Sequence, residues 1–157
     1  MIVGGVAIGG HGAVQAAGDH EELIRSRVLP EVRSLASDPR VVAAVRMQNQ
    51  QNAGLGQADI DRLDKQWRAE TAAGNRPLID KVLANELSQF LGEFKNERRG
   101  MYTEIFVMDG KGLNAGQSDV TSDYWQGDED KWQKTYNAGA GSVLIDEVEF
   151  DESTQTF

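Results

Sequence analysis

Thr103-Glu104-Ile105-Phe106-Val107-Met108-Asp109-Gly110-Lys111-Gly112 is the stretch that decides the fold. Successive side chains of a strand point to opposite faces, and from Ile105 to Met108 both faces are apolar. A strand apolar on both faces belongs at the centre of a sheet covered on both sides. Asp109-Gly110-Lys111-Gly112 is a strong turn signal, so Leu113 to Gln117 is expected to return as the hairpin partner.

Upstream, the pattern is helical. Leu23, Ile24, Val28, Val32, Leu35 and Ala36 recur at helical spacing from Asp19 onward, with a kink or break expected at Pro30. Asp38-Pro39 reads as an N-cap followed by proline at the first helical position. A helix through Val41, Val42, Val45 and Arg46 follows, and the Gln- and Asn-rich Gln48 to Gly56 stretch reads as a loop. Asp59 to Ala73 is amphipathic, with Ile60, Leu63 and Trp67 on one face. Gly74-Asn75 stops it. From Pro77, the residues Leu78, Ile79, Val82, Leu83, Leu87, Phe90, Leu91 and Phe94 form one stripe and predict a single helix of four turns.

Downstream of the hairpin, Ser118 to Asp130 is a polar loop carrying Tyr124 and Trp125. Lys131 to Tyr136 fits a short helix or a strand, and Ser142 to Phe150 alternates as another strand. Asp151 to Thr154 is a turn. Helices first and an antiparallel sheet afterwards make the class α+β.

The 157 residues fit one domain with a sizeable core. A net charge of −9 argues against nucleic acid and anionic lipid as partners, since both recruit basic surfaces. The chain has no cysteine, which excludes disulfides and thiolate chemistry. Residues 1–18 read as a leader or signal-peptide remnant. Met1 to Gly10 is small and apolar, and Val14-Gln15-Ala16 resembles a cleavage site, although no basic residue precedes the apolar stretch. The domain is then residues 19–157, and the expected location is periplasmic or secreted.

Tyr124, Trp125, Trp132 and Tyr136 gather aromatic rings in a short polar region. Rings with a few polar anchors line small-molecule pockets, and loop rings equally often cap the edge of a core. Lys131 is a candidate contact or a solvated lysine. Asp123 and Asp128 are candidate partners for a ligand ammonium, which an aromatic cage favours. Asp128-Glu129-Asp130 also suits the first turn of a helix, where carboxylates complement the dipole.

The stretches TEIFVMDGKGLNAGQSDVTSDYWQGDEDKWQKTY (103–136) and IDEVEFDESTQTF (145–157) together resemble the single Cache domains also called PDC sensor domains. LDKQWRAE (63–70) and PLIDKVLANELSQFL (77–91) are similar to that family's N-terminal helices. VMDGKG, SDYWQGDE and EVEFDEST are specific in combination rather than singly. The resemblance implies a PAS-like fold, with N-terminal helices packed on a central antiparallel sheet and a pocket between the sheet and the loops after the first hairpin. Family members continue with two further strands beyond the position of Phe157, so a C-terminally truncated domain is expected. The implied function is extracytoplasmic, non-catalytic binding of an amino acid, amine or small carboxylate. The implied partner is a chemoreceptor or histidine kinase, or a second copy as a homodimer.

The resemblance further places Lys131-Trp132 where amino-acid-binding relatives carry an arginine and an aromatic that grip a carboxylate. Lysine offers a point charge without a bidentate fork. The ligand-binding set is therefore Asp123, Tyr124, Trp125, Asp128, Lys131, Trp132 and Tyr136. The alternative function is a non-catalytic periplasmic interaction or scaffold protein with a vestigial pocket.

Other chemistries find no support. Asp119, Asp123, Asp128, Glu129 and Asp130 lack the spacing of a calcium loop. GVAIGGHG (5–12) lacks both the phosphate-loop lysine and the dinucleotide spacing. No serine stands in a Gly-x-Ser-x-Gly elbow, and His11 and His20 lack zinc-site spacing. No metal or cofactor is expected.

Overall fold

The computed structural model describes residues 2–5 and 21–146. A widened π-helical turn, Ile24–Val28, leads directly into α1, Leu29–Ala36, with the N–H of Leu29 donating to the carbonyl of Ile24. Pro30 has no N–H to offer the carbonyl four residues back. The irregularity expected there is thus a turn one residue too wide, not an interruption of the helix. Asp38 caps α2, Pro39–Gln51, by accepting from the N–H of Arg40 at 2.9 Å. Helix α2 runs to Gln51, so the first four residues of the stretch read as a loop are helical. Tertiary contacts hold that last turn: Gln48 and Asn52, just beyond it, both bond the β-hairpin.

Helix α3 is Gln57–Thr71, α4 is Pro77–Leu83 and α5 is Glu86–Glu97. The four-turn helix expected from Pro77 is therefore two helices. Asn85 divides them: its backbone is extended, its side chain accepts from the N–H of Ser88 at 2.8 Å, and its amide donates to Ala115 O at 3.0 Å. An asparagine cap of this kind stabilises a helix start by about 1 kcal/mol. The division sends the apolar stripe to two destinations. Ile79 and Val82 pack with Ile60, Trp67, Leu113 and Tyr124, while Leu87 and Leu91 pack with Val28, Leu35 and Val41.

The sheet has the order β1-β2-β3 among the described residues, with β1 Ile2–Gly5, β2 Glu104–Met108 and β3 Asn114–Gln117. Both pairings are antiparallel. β2 is central, and Ile105 to Met108 are all buried. The turn forms as expected, with Gly112 at φ 82° and its α-carbon facing the Gly127 backbone so closely that any side chain would collide. Ile105 and Val107 face the helices, in one core with residues of α1, α2 and α5. Phe106 and Met108 face the other way and meet Trp132.

Lys131 to Tyr136 resolves as a short helix, α6 Asp130–Gln133, continuing into a turn. The strand expected over Ser142 to Phe150 is corrected for its described part: Ser142–Asp146 forms no strand. Alternation alone makes no strand without a ladder partner, and Val143 is 42% exposed. Glu147 to Phe150, the turn after it, His11, His20 and most of the leader stretch lie outside the described residues. Four residues of that leader stretch, Ile2–Gly5, form β1. No described helix is long and apolar enough to cross a membrane. The class is α+β, but the expected order of helices first and sheet afterwards is corrected: β1 precedes the helices and pairs with β2, and α6 follows the hairpin.

Candidate ligand-binding site

A β-bulge sets the chemistry of the sheet's outer face. Phe106 pairs with Gln117, Val107 with Gly116 and Met108 with Asn114, which leaves Ala115 as an extra residue. Strict alternation would put residues 114 and 117 on opposite faces. The bulge returns both to the face of Phe106 and Met108. There Asn114 Nδ2 donates to Gln117 Oε1 at 3.0 Å. Ala115 meanwhile joins the helix-side core, and Gly116 lets Leu87 press against the strand.

The loop after β3 folds back over this polar face. Asn114 N–H donates to Tyr124 O, Gln126 N–H donates to Gly112 O, and Leu113 and Trp125 form a bridge. The loop therefore covers the free edge of β3. It also brings Thr121, Asp123 and Gln126 into a buried cluster with Asn114 and Gln117. The carbonyl of Asp123 is the hub, accepting from Thr121 Oγ1 at 2.6 Å, Asn114 Nδ2 at 3.3 Å and Gln126 Nε2 at 3.3 Å. Gln126 Nε2 donates to the Asp123 carboxylate as well. Among the described residues, Asn114 Oδ1 and Gln126 Oε1 are buried without a hydrogen-bond donor. Leaving a buried acceptor unpaired costs about 1–3 kcal/mol, so such atoms require an account.

Helix α3 grips the loop from the opposite side with three residues, Asp64 and, one turn on, Trp67 and Arg68. Asp64 Oδ1 accepts the N–H groups of Tyr124 at 2.9 Å and Trp125 at 3.1 Å. Trp67 Nε1 donates to Thr121 O at 2.8 Å. Arg68 bonds Asp64 at 2.7 Å and reaches Asp123 Oδ2 at 3.4 Å. The bond it donates to Asp64 pushes the Arg68 pKa up against the opposing effect of burial.

A second clasp holds the hairpin turn. Asp109 is buried, and its Oδ1 accepts the N–H of Lys111 at 2.8 Å and of Leu113 at 3.1 Å. Its Oδ2 accepts from Gln48 Nε2 at 3.1 Å and Asn52 Nδ2 at 2.7 Å. Four donors around one buried carboxylate offset much of the desolvation its charge would otherwise suffer.

The seven expected contact residues fall into three places. Tyr124 stacks on Trp67 at 5.2 Å within the α3–α4 core, where burial, and then the charge of Asp109, pushes its phenol up to about 12. Trp125 packs at the edge of that same core and donates its indole N–H to Lys111 O at 2.9 Å. These two rings are core-edge packing rather than walls over the outer face. Trp132 and Tyr136 stack at 4.1 Å against that face, with Trp132 buried and Tyr136 49% exposed. Lys131 Nζ stands 5.4 Å from the centroid of the Phe106 ring. Asp123 lies in the amide cluster, and Asp128 is exposed nearby.

Sequence reasoning missed Asn114, Gln117, Thr121 and Gln126. Their signal was two amides in a short strand, hidden by the bulge. It also missed the clamps Asp64 and Arg68, which read as ordinary charged positions of an amphipathic helix. A separate cavity of about 350 Å³ lies between α1, α2 and α5, lined by Leu35, Arg40, Phe90, Phe94 and Arg98 among others. Its guanidinium groups are already engaged, Arg40 with Asp38 and the Phe90 ring, Arg98 with Glu31 and the Phe94 ring. Compared with known proteins, the chain matches no family model, no curated protein and no solved structure.

Proposed function

We propose that this chain is a non-catalytic, extracytoplasmic sensor domain of the Cache, PAS-like kind. It captures a small molecule, an amino acid, an amine or a small carboxylate, on the outer face of its sheet. One observation carries the reading: a buried polar cluster on the sheet's outer face, Asn114 and Gln117 from β3 with Thr121, Asp123 and Gln126 from the loop over it, where packing alone favours apolar side chains. Trp132 covers that face, with Tyr136 stacked upon it. The helices between β1 and β2, and the hairpin whose following loop overlies the sheet, support the reading, whereas β1 at the chain start is outside the pattern that the sequence resembles.

The loop over the face is bonded to α3 through Asp64, Trp67 and Arg68, so a ligand that orders the loop acts first on α3. A partner such as a chemoreceptor or histidine kinase, or a second copy of the chain, then receives the change. The periplasmic or secreted location rests on the apolar opening and the Val14-Gln15-Ala16 pattern, and cleavage there would remove β1 from the sheet. A thermal-shift screen of amino acids, amines and carboxylates tests the reading. A ligand at a hundred times its Kd raises apparent stability by about 2.7 kcal/mol. No shift with any class at millimolar concentration overturns it, and a scaffold role then stands in its place.

A further inference from the structure

We infer that the outer-face cluster selects a primary organic ammonium, held by Asn114 Oδ1, Gln126 Oε1 and the Asp123 carboxylate. The inference rests on the proposed binding function and narrows its ligand class. An ammonium has three N–H donors and no acceptor. The cluster offers the complement: two buried amide oxygens without donors, beside a buried carboxylate. A ligand carboxylate in the same place would meet two amide oxygens, a carboxylate and no free N–H, because the amide nitrogens of Asn114 and Gln126 are already engaged.

Asp123 can offer Oδ2 to a ligand while Oδ1 keeps its bond from Gln126. The Oδ2 contact to Arg68 is long, at 3.4 Å, and Arg68 keeps Asp64 at 2.7 Å if that contact opens. A cation already stands over this face, Lys131 Nζ at 5.4 Å from the centroid of the Phe106 ring. Both orphaned oxygens are buried in the structure, so entry requires a neighbouring segment to move. The Lys131 charge then repels an arriving ammonium and would attract an arriving anion.

The full chain is titrated with n-propylammonium, tetramethylammonium and propionate at matched ionic strength, following the side-chain amide NMR signals of Asn114 and Gln126 together with Tm. Propylammonium is expected to move both signals saturably and raise Tm. Tetramethylammonium, which has no N–H, and propionate leave them unchanged. Asp123→Asn weakens propylammonium binding about tenfold to a hundredfold. Lys131→Gln, which removes the charge and keeps most of the side chain, strengthens it severalfold.

A response to propionate, or weaker propylammonium binding in Lys131→Gln, overturns the assignment. So does a long-lived water on the two amides with no response to propylammonium, because the oxygens then serve only a structural solvent molecule. If these probes fail while the wider screen finds another ligand, the ammonium assignment falls and the sensor function survives. If nothing in the screen binds, both fall.

Discussion

Trp67 on α3 donates its indole N–H to the main-chain carbonyl of Thr121, 2.8 Å away and 54 residues later in the chain. The same ring is fully buried and stacks on Tyr124. Helix α3 therefore sets where the loop over the sheet lies. Trp67→Phe is expected to lower stability by about 2–4 kcal/mol, combining lost ring volume with a buried carbonyl left unpaired. Urea denaturation checks this, and a loss below about 1 kcal/mol refutes the role given to the bond.

Asp109 accepts from Gln48, Asn52 and two backbone N–H groups. Asp109→Asn turns an amide NH2 toward donors already in place and is expected to cost about 2–4 kcal/mol despite its near-identical shape. Adding Asn52→Asp restores an acceptor opposite that NH2. The double variant is expected to regain about 1 kcal/mol in a double-mutant cycle, and additive losses would contradict the clasp.

A Cβ on Gly116 would lie 2.6 Å from Cγ of Leu87. Gly116→Ala is therefore expected to cost about 1–3 kcal/mol by pushing α5 off β3. Pairing it with Leu87→Ala should recover part of that loss beyond additivity. Without recovery, the close approach is not what selects glycine here.

Tyr102 and Tyr124 are two of three tyrosines, and both phenols are pushed up to about 12 from 10.0. Burial is the leading cause in each, followed by the negative charge of Glu31 for Tyr102 and of Asp109 for Tyr124. The folded state holds these protons more tightly, so their contribution is complete below pH 10 and is lost as pH rises through about 12. Asp38 behaves in the opposite sense: the side-chain bond from Arg40 lowers it from 3.8 to about 2, so its contribution is present above pH 3.8 and lost as pH falls through 2. Absorbance at about 295 nm follows the tyrosines, whose free pKa is about 10. Half-ionisation of Tyr102 and Tyr124 at about pH 10 in the folded protein would refute the burial assigned to the two rings.

Helices α1 to α3 and the hairpin were legible because each is written locally: apolar spacing, Asp38-Pro39, Gly74, and the Asp109-to-Gly112 turn. Three features were not. The α4–α5 division depends on Asn85 reaching the carbonyl of Ala115, a partner 30 residues away. The extension of α2 through Gln48 depends on Asp109 and on β3, more than sixty residues on. The candidate site depends on a bulge, which moves residues three apart onto one face and so defeats any period-two reading.

By itself, the sequence determined the α+β class, the central placing of β2 and the concentration of rings after the hairpin, because backbone preference and apolar period act within a few neighbours. Only the tertiary structure decided which of those rings serve the core and which cover the sheet. It also gathered Asn114, Gln117, Thr121, Asp123 and Gln126 into one buried cluster. Hydrogen bonds between distant segments make that choice, and their partners are set by how helices and sheet pack, not by spacing along the chain.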